Sequence, residues 1–237
     1  MDKHIFFSKF KVNHFYKKVF ICLGFVALLA VVFIFGCSTV NLTDNSLSAI
    51  SEYRKNLFVG KSGNVLATYT TGQREQDYIM DGKKTALTDF GVLTLHLSSP
   101  IEQAPEFKLT INQTTFEGVL EQNPYDGTYV FDTLCQADDN AQIELYIKQF
   151  EQTIKLVCVS ANWSTNYQDA LTIFSQKYQK ELDLHSSRGN LNAEVYIKIV
   201  SSNKSIDNIY WYVLCVCESG DMYSALIDPN TKEIIQS

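Results

Sequence analysis

Histidine is nearly absent from this chain. Four occur in 237 residues, and only His96 and His185 lie beyond the first 36. Any histidine-based catalytic arrangement in that region has just these two bases to draw on. In the alternating run Gly91 to Ser98, His96 shares the more polar face with Val92, Thr94 and Ser98, as a surface histidine does. His185 falls at the end of a predicted helix, where a cation suits the dipole. Metal-ligand spacing is missing too. Cys215-Val216-Cys217 has no partnering histidine or second cysteine pair. Asp138-Asp139-Asn140 lacks the spaced acidic loop and later glutamate of a calcium site, and reads as a solvated turn. Gly60-Lys61-Ser62 lacks the earlier glycine of a phosphate loop. No repeats or low-complexity tracts occur. The expectation is a protein that is not an enzyme and needs no metal or cofactor.

Basic charge is also in short supply, with 20 Lys and Arg against 26 Asp and Glu. The imbalance is uneven. Residues 1–18 hold Lys3, Lys9, Lys11, Lys17 and Lys18 against Asp2 alone. Beyond residue 36 the chain carries 15 basic and 25 acidic residues, a net charge of −10. That argues against nucleic acid as a partner.

What is present is a signal-like N-terminus. After the lysines, Val19 to Gly36 runs for 18 residues without a charge. A basic segment before an apolar one is the layout of a secretory signal, and 18 residues just span a bilayer. Length therefore leaves two readings, a cleaved signal or an uncleaved anchor. Phe33-Ile34-Phe35-Gly36-Cys37 resembles a bacterial lipobox, with Gly36 at the small position before cleavage. That resemblance implies a lipoprotein held to membrane lipid through an acylated Cys37. In either reading the lysines keep the N-terminus inside, and residues 38–237 face outward, outside the cytoplasm.

Four further cysteines follow: Cys135, Cys158, Cys215 and Cys217. Outside the cell they could form disulfides. Cys215 and Cys217, two apart in an apolar run, share one face of a strand and read as core residues. A bridge between Cys135 and Cys158 stays open.

Residues 37–46 are small and polar, a tether. Leu47, Ile50, Tyr53 and Leu57 recur at helical spacing, predicting a short helix. From Leu57 to about Ser160, seven or so short alternating runs with turns between them predict a β-rich, sandwich-like domain over 47–160. The texture changes at Trp163. Thr165 with Gln168 fits a capping box, and Ala170, Leu171, Phe174, Tyr178 and Leu182 form an apolar stripe, predicting one helix over 166–184. Strands at Ala193 to Val200, Ile209 to Cys217, Met222 to Asp228 and Glu233 to Gln236 complete a second domain, 161–237.

This layout resembles a PepSY-type domain. The matching residues are Asp169-Ala170-Leu171, the strand Tyr210-Trp211-Tyr212-Val213, and Ala225-Leu226-Ile227-Asp228 followed by Thr231-Lys232-Glu233-Ile234-Ile235. Lys232 stands where the family has glycine, which would require a different turn conformation. A generic hairpin domain is the alternative. The resemblance implies an α+β fold overall: an anchor helix, the sandwich-like domain, then a helix-plus-meander module. It also implies binding of a peptide, peptidase or envelope protein without catalysis. Trp211 and Tyr212 alternate, so one packs inward and the other faces out, making Tyr212 and Tyr210 the candidate binding residues. A structural or assembly lipoprotein of an envelope complex is the second functional expectation.

Overall fold

The segment whose spacing predicts a helix is instead the central strand, β1 (Ile50–Ser62). Asn56, Leu57, Phe58, Val59 and Gly60 are buried in succession. A helix with one apolar stripe cannot bury five consecutive residues against a single neighbour. A strand covered on both faces can. The computed structural model that establishes this describes residues 47–75, 85–99, 101–201 and 208–236. Cys37, the uncharged run and the tether lie outside these residues.

The remaining strands are β2 (Val65–Glu75), β3 (Leu87–Leu97), β4 (Glu106–Ile111), β5 (Thr114–Val119), β6 (Glu121–Gln122), β7 (Tyr129–Thr133), β8 (Ile143–Ile147) and β9 (Gln152–Cys158). Helices α1 (Tyr167–Lys177) and α2 (Gln179–Leu184) come next. Then follow β10 (Ser186–Ser187), β11 (Asn190–Leu191), β12 (Ala193–Ser201), β13 (Ile209–Cys217), β14 (Met222–Ile227) and β15 (Ile234–Gln236).

One edge of β1 pairs with β2 along most of its length. The other edge is shared. Its first half runs parallel to β12, with Ile50 opposite Val195 and Tyr53 opposite Ile197. Its second half pairs antiparallel with β9, through Phe58 and Val59. A bulge between Arg54 and Asn56 separates the two registers, bending the strand where its partners diverge. From this fork, strands in the order β5-β4-β8-β9-β1-β2-β3-β7-β6 curl into a nearly closed barrel-like sheet, and β12 to β15 extend from the other branch.

Each side has its own core. Phe58, Tyr69, Leu93, Leu109 and Leu145 fill the barrel-like part. Leu57, Val59, Leu171, Phe174, Trp211 and Val213 fill the other. Glycine is required at Gly91, where a Cβ would collide with the Tyr69 hydroxyl. That hydroxyl donates to Cys135 O at 2.6 Å.

The α+β expectation, with a sandwich-like domain and a separate helix-plus-meander module, is thereby overturned. The protein is strand-rich, with α1 and α2 its two α-helices of a turn or more among the described residues. Its C-terminal meander continues the same sheet through β12 and β1. The cause is the double-faced burial of β1, which neither half of the chain satisfies alone.

Smaller corrections concern caps and turns. The helix breaks at Tyr178, which lies between α1 and α2. Its N-cap is Asn166, whose Oδ1 accepts from Gln168 N (2.9 Å) and Asp169 N (3.0 Å). Asp169 Oδ2 accepts in return from Asn166 N (3.0 Å). Thr165 is freed for another task. Its hydroxyl accepts from Trp211 Nε1 (3.0 Å) and donates to Pro229 O (2.8 Å). Lys232 takes the left-handed conformation, with φ of 68°.

The four described cysteines are free thiols. Cys215 and Cys217 are buried beside Trp211 in one core. Burial pushes the Cys215 thiol up to about 12, which suppresses its thiolate.

Candidate functional site

Strand alternation builds the most distinctive surface. Along β13, Trp211, Val213, Cys215 and Cys217 are buried, whereas Tyr210, Tyr212, Leu214 and Val216 are half-buried on the opposite face. Register places Tyr212 between Lys198 of β12 and Leu226 of β14, and Leu214 between Tyr196 and Ser224. Tyr210 lies opposite Val200, and Val216 between Glu194 and Met222. Met222 is 68% exposed. The result is a three-strand face of tyrosine, leucine, valine and methionine.

The helices cover the other side. Ala170, Leu171 and Phe174 of α1 join the core with Trp211 and Val213. Tyr53 stacks on Tyr167 at 4.1 Å, and Trp163 meets Trp211 edge-on at 5.3 Å. These aromatic pairs stiffen the sheet from behind. Among the described residues, no helix lies over Tyr212.

Charge enters this face at one corner. Lys198 Nζ is 3.6 Å from Glu52 Oε2 and 5.5 Å from the centre of the Tyr196 ring. Tyr196 donates to Glu194 Oε2 at 2.6 Å. Burial, then this bond to a carboxylate, raises the pKa of Tyr196, so the hydroxyl stays protonated and donating. The two sequence-predicted tyrosines thus stand on one surface. Sequence reasoning missed their neighbours Tyr196, Leu226 and Met222. The alternation within each strand was readable, but the register that aligns the strands was not.

His185 sits in a polar cluster at the β13–β14 turn. His185 Nε2 lies 3.2 Å from the Tyr223 hydroxyl and 3.6 Å from Asp221 Oδ2. Ser219 Oγ approaches His185 Nδ1 at 3.5 Å but donates to Asp221 Oδ2 at 2.8 Å. The serine proton is therefore engaged by the carboxylate, and the group clasps the β13–β14 turn. His96, opposite Leu66, lines a cleft described below. Asp138 caps its own turn, accepting from Asn140 N at 3.2 Å. Among the described residues, no three His, Cys, Asp or Glu side chains converge to hold a metal ion, and no helix is long and apolar enough to cross a membrane.

No family model matches the chain, and neither a curated protein nor a solved structure matches it.

Proposed function

We propose that this chain is a non-catalytic binding protein of the cell envelope. In this reading its N-terminus holds it to the outer face of a membrane through a lipid on Cys37. The open face of β12, β13 and β14 then receives a protein or peptide partner. The observation that carries this is the face itself. Tyr210, Tyr212, Leu214, Leu226 and Met222 lie together, aromatic and methionine-containing as interfaces favour, with Lys198 and Glu194 along the β12 side. Its rigid backing favours docking, because a pre-formed surface costs little ordering on association.

A photo-reactive phenylalanine derivative at position 212, in the full chain in its native membrane, tests the surface. The expected result is a discrete cross-linked species, absent when the same group replaces Val157. Val157 is 66% exposed on β9, away from the face. Equal labelling from both positions would sink the docking reading. The anchor has its own measurement: intact mass should show a mature chain beginning at diacylated Cys37. Retention of residues 1–36 would remove the lipid without touching the surface argument.

A further inference from the structure

The fork at β1 leaves an opening on the side of the sheet away from the barrel core. A trough of about 360 Å³ runs there, floored by β1, β2 and β3 and walled by the ends of β12 and β13. Register orders its floor. Arg54 lies opposite Gly72, then Leu57 opposite Thr70, Val59 opposite Thr68, and Leu66 opposite His96. From Gly72 to Leu66 is six residues, or roughly 20 Å of strand. Leu57, Val59, Ile199 and Ile209 supply the apolar part of the lining, between threonine hydroxyls and the charged ends. Among the described residues, no hydrogen bond engages the hydroxyls of Thr68, Thr70 or Thr94.

Two features select what fits. The first is an unpaired strand edge. β12 pairs with β1 only as far as Ile197, because β1 then turns to β9. Among the described residues, positions 198–201 of β12 pair with β13 alone. Their other edge borders the trough, where Ile199, Val200 and Ser201 line it. Such an edge is a template for another strand.

The second feature is polarity. At one end Arg54 uses Nε to hold Glu52 at 3.3 Å, and its planar fork carries four more N–H groups. Lys198 joins the same carboxylate. The opposite end carries negative charge. Asp126 lines the trough and lies three residues before Tyr129, which faces Leu95, so it stands beyond the His96 row.

We propose that the trough binds a short apolar peptide of about five residues, added as an antiparallel strand to the open edge of β12 with its free C-terminal carboxylate at Arg54. Alternate side chains fall on Leu57, Val59 and Ile209, and the threonine hydroxyls meet backbone groups that β12 does not reach. Antiparallel direction follows from charge: β12 runs away from the Arg54 end, so a carboxylate at that end requires the reverse sense.

The test titrates the full chain, in detergent micelles, with Val-Ala-Val-Ala-Val carrying free termini, followed by calorimetry. The free peptide should bind. Its C-terminal amide should bind at least about tenfold more weakly, the loss expected for one charge-assisted contact. N-methylation of alternate amides, which blocks strand addition, should abolish binding. Arg54→Gln should erase the difference between acid and amide. The acid and N-methyl arms use the unaltered protein, so they decide the matter even if Arg54→Gln does not fold. No binding at millimolar peptide, indifference to amidation or N-methylation, or equal binding of octanoate would each overturn the proposal. The titration is independent of cross-linking at position 212, and either can fail alone.

Discussion

At the scale of single residues, polar side chains hold the turns that register depends on. Asp228 Oδ1 accepts from Asn230 N and Thr231 N, each at 2.8 Å. These backbone donors hold its pKa below the usual carboxylate value. Lys232, in the left-handed region, then lets Asp228 N donate to Glu233 O at 2.9 Å, which opens β15. A depressed folded pKa stabilises the fold above the unfolded value, about 3.9. That contribution is lost as pH falls through the folded pKa. Asp228→Ala should therefore cost about 1 kcal/mol near neutrality and distinctly less at pH 2. Thermal melts at both values check this. An equal loss at both would mean the charge contributes nothing.

At the scale of elements, α1 depends on its start. The reciprocal bonds between Asn166 and Asp169 satisfy donors that the first turn cannot. Just before them, Thr165 ties that start to Trp211 and to the turn at Pro229. Asn166→Ala should cost about 1 kcal/mol and raise amide exchange in the first turn of α1, read by hydrogen–deuterium exchange. Unchanged protection there would show that the tertiary tie at Thr165 suffices. The sequence carries the capping signature in its Thr165-Asn166-Tyr167-Gln168-Asp169 run, yet two residues could serve as cap. The choice fell to Asn166 because Trp211, 46 positions away, needs the threonine oxygen.

At the scale of the whole molecule, β1 makes two cores into one cooperative body. Leu57 and Phe58 are adjacent but point into different cores. Leu57→Ala should cost about 2–5 kcal/mol and Phe58→Ala about 3–5 kcal/mol. Both should lower one shared unfolding transition, because each side loses the strand the other needs. Calorimetry resolving two transitions, with each variant moving only one, would show that the halves unfold separately.

The sequence by itself determined the local periods. The strand Ile143–Ile147 and the strand Ile209–Cys217 were legible to the residue because alternation and flanking turns mark them. That Trp211 and Tyr212 take opposite faces followed from the same period of two, as did the sharing of one face by Cys215 and Cys217. The fold decided that Trp211 is the inward one. Tertiary structure decided what periodicity cannot encode. Ile50 to Leu57 carries a helical stripe, but β2, β9 and β12 offer both its edges partners and both its faces cover. Burial across the whole segment outweighs a weak local preference. The pairing of β1 with a strand more than 140 residues away likewise left no local mark. That pairing creates the tyrosine face, the fork and the open edge of β12, so the candidate sites exist only in the folded chain.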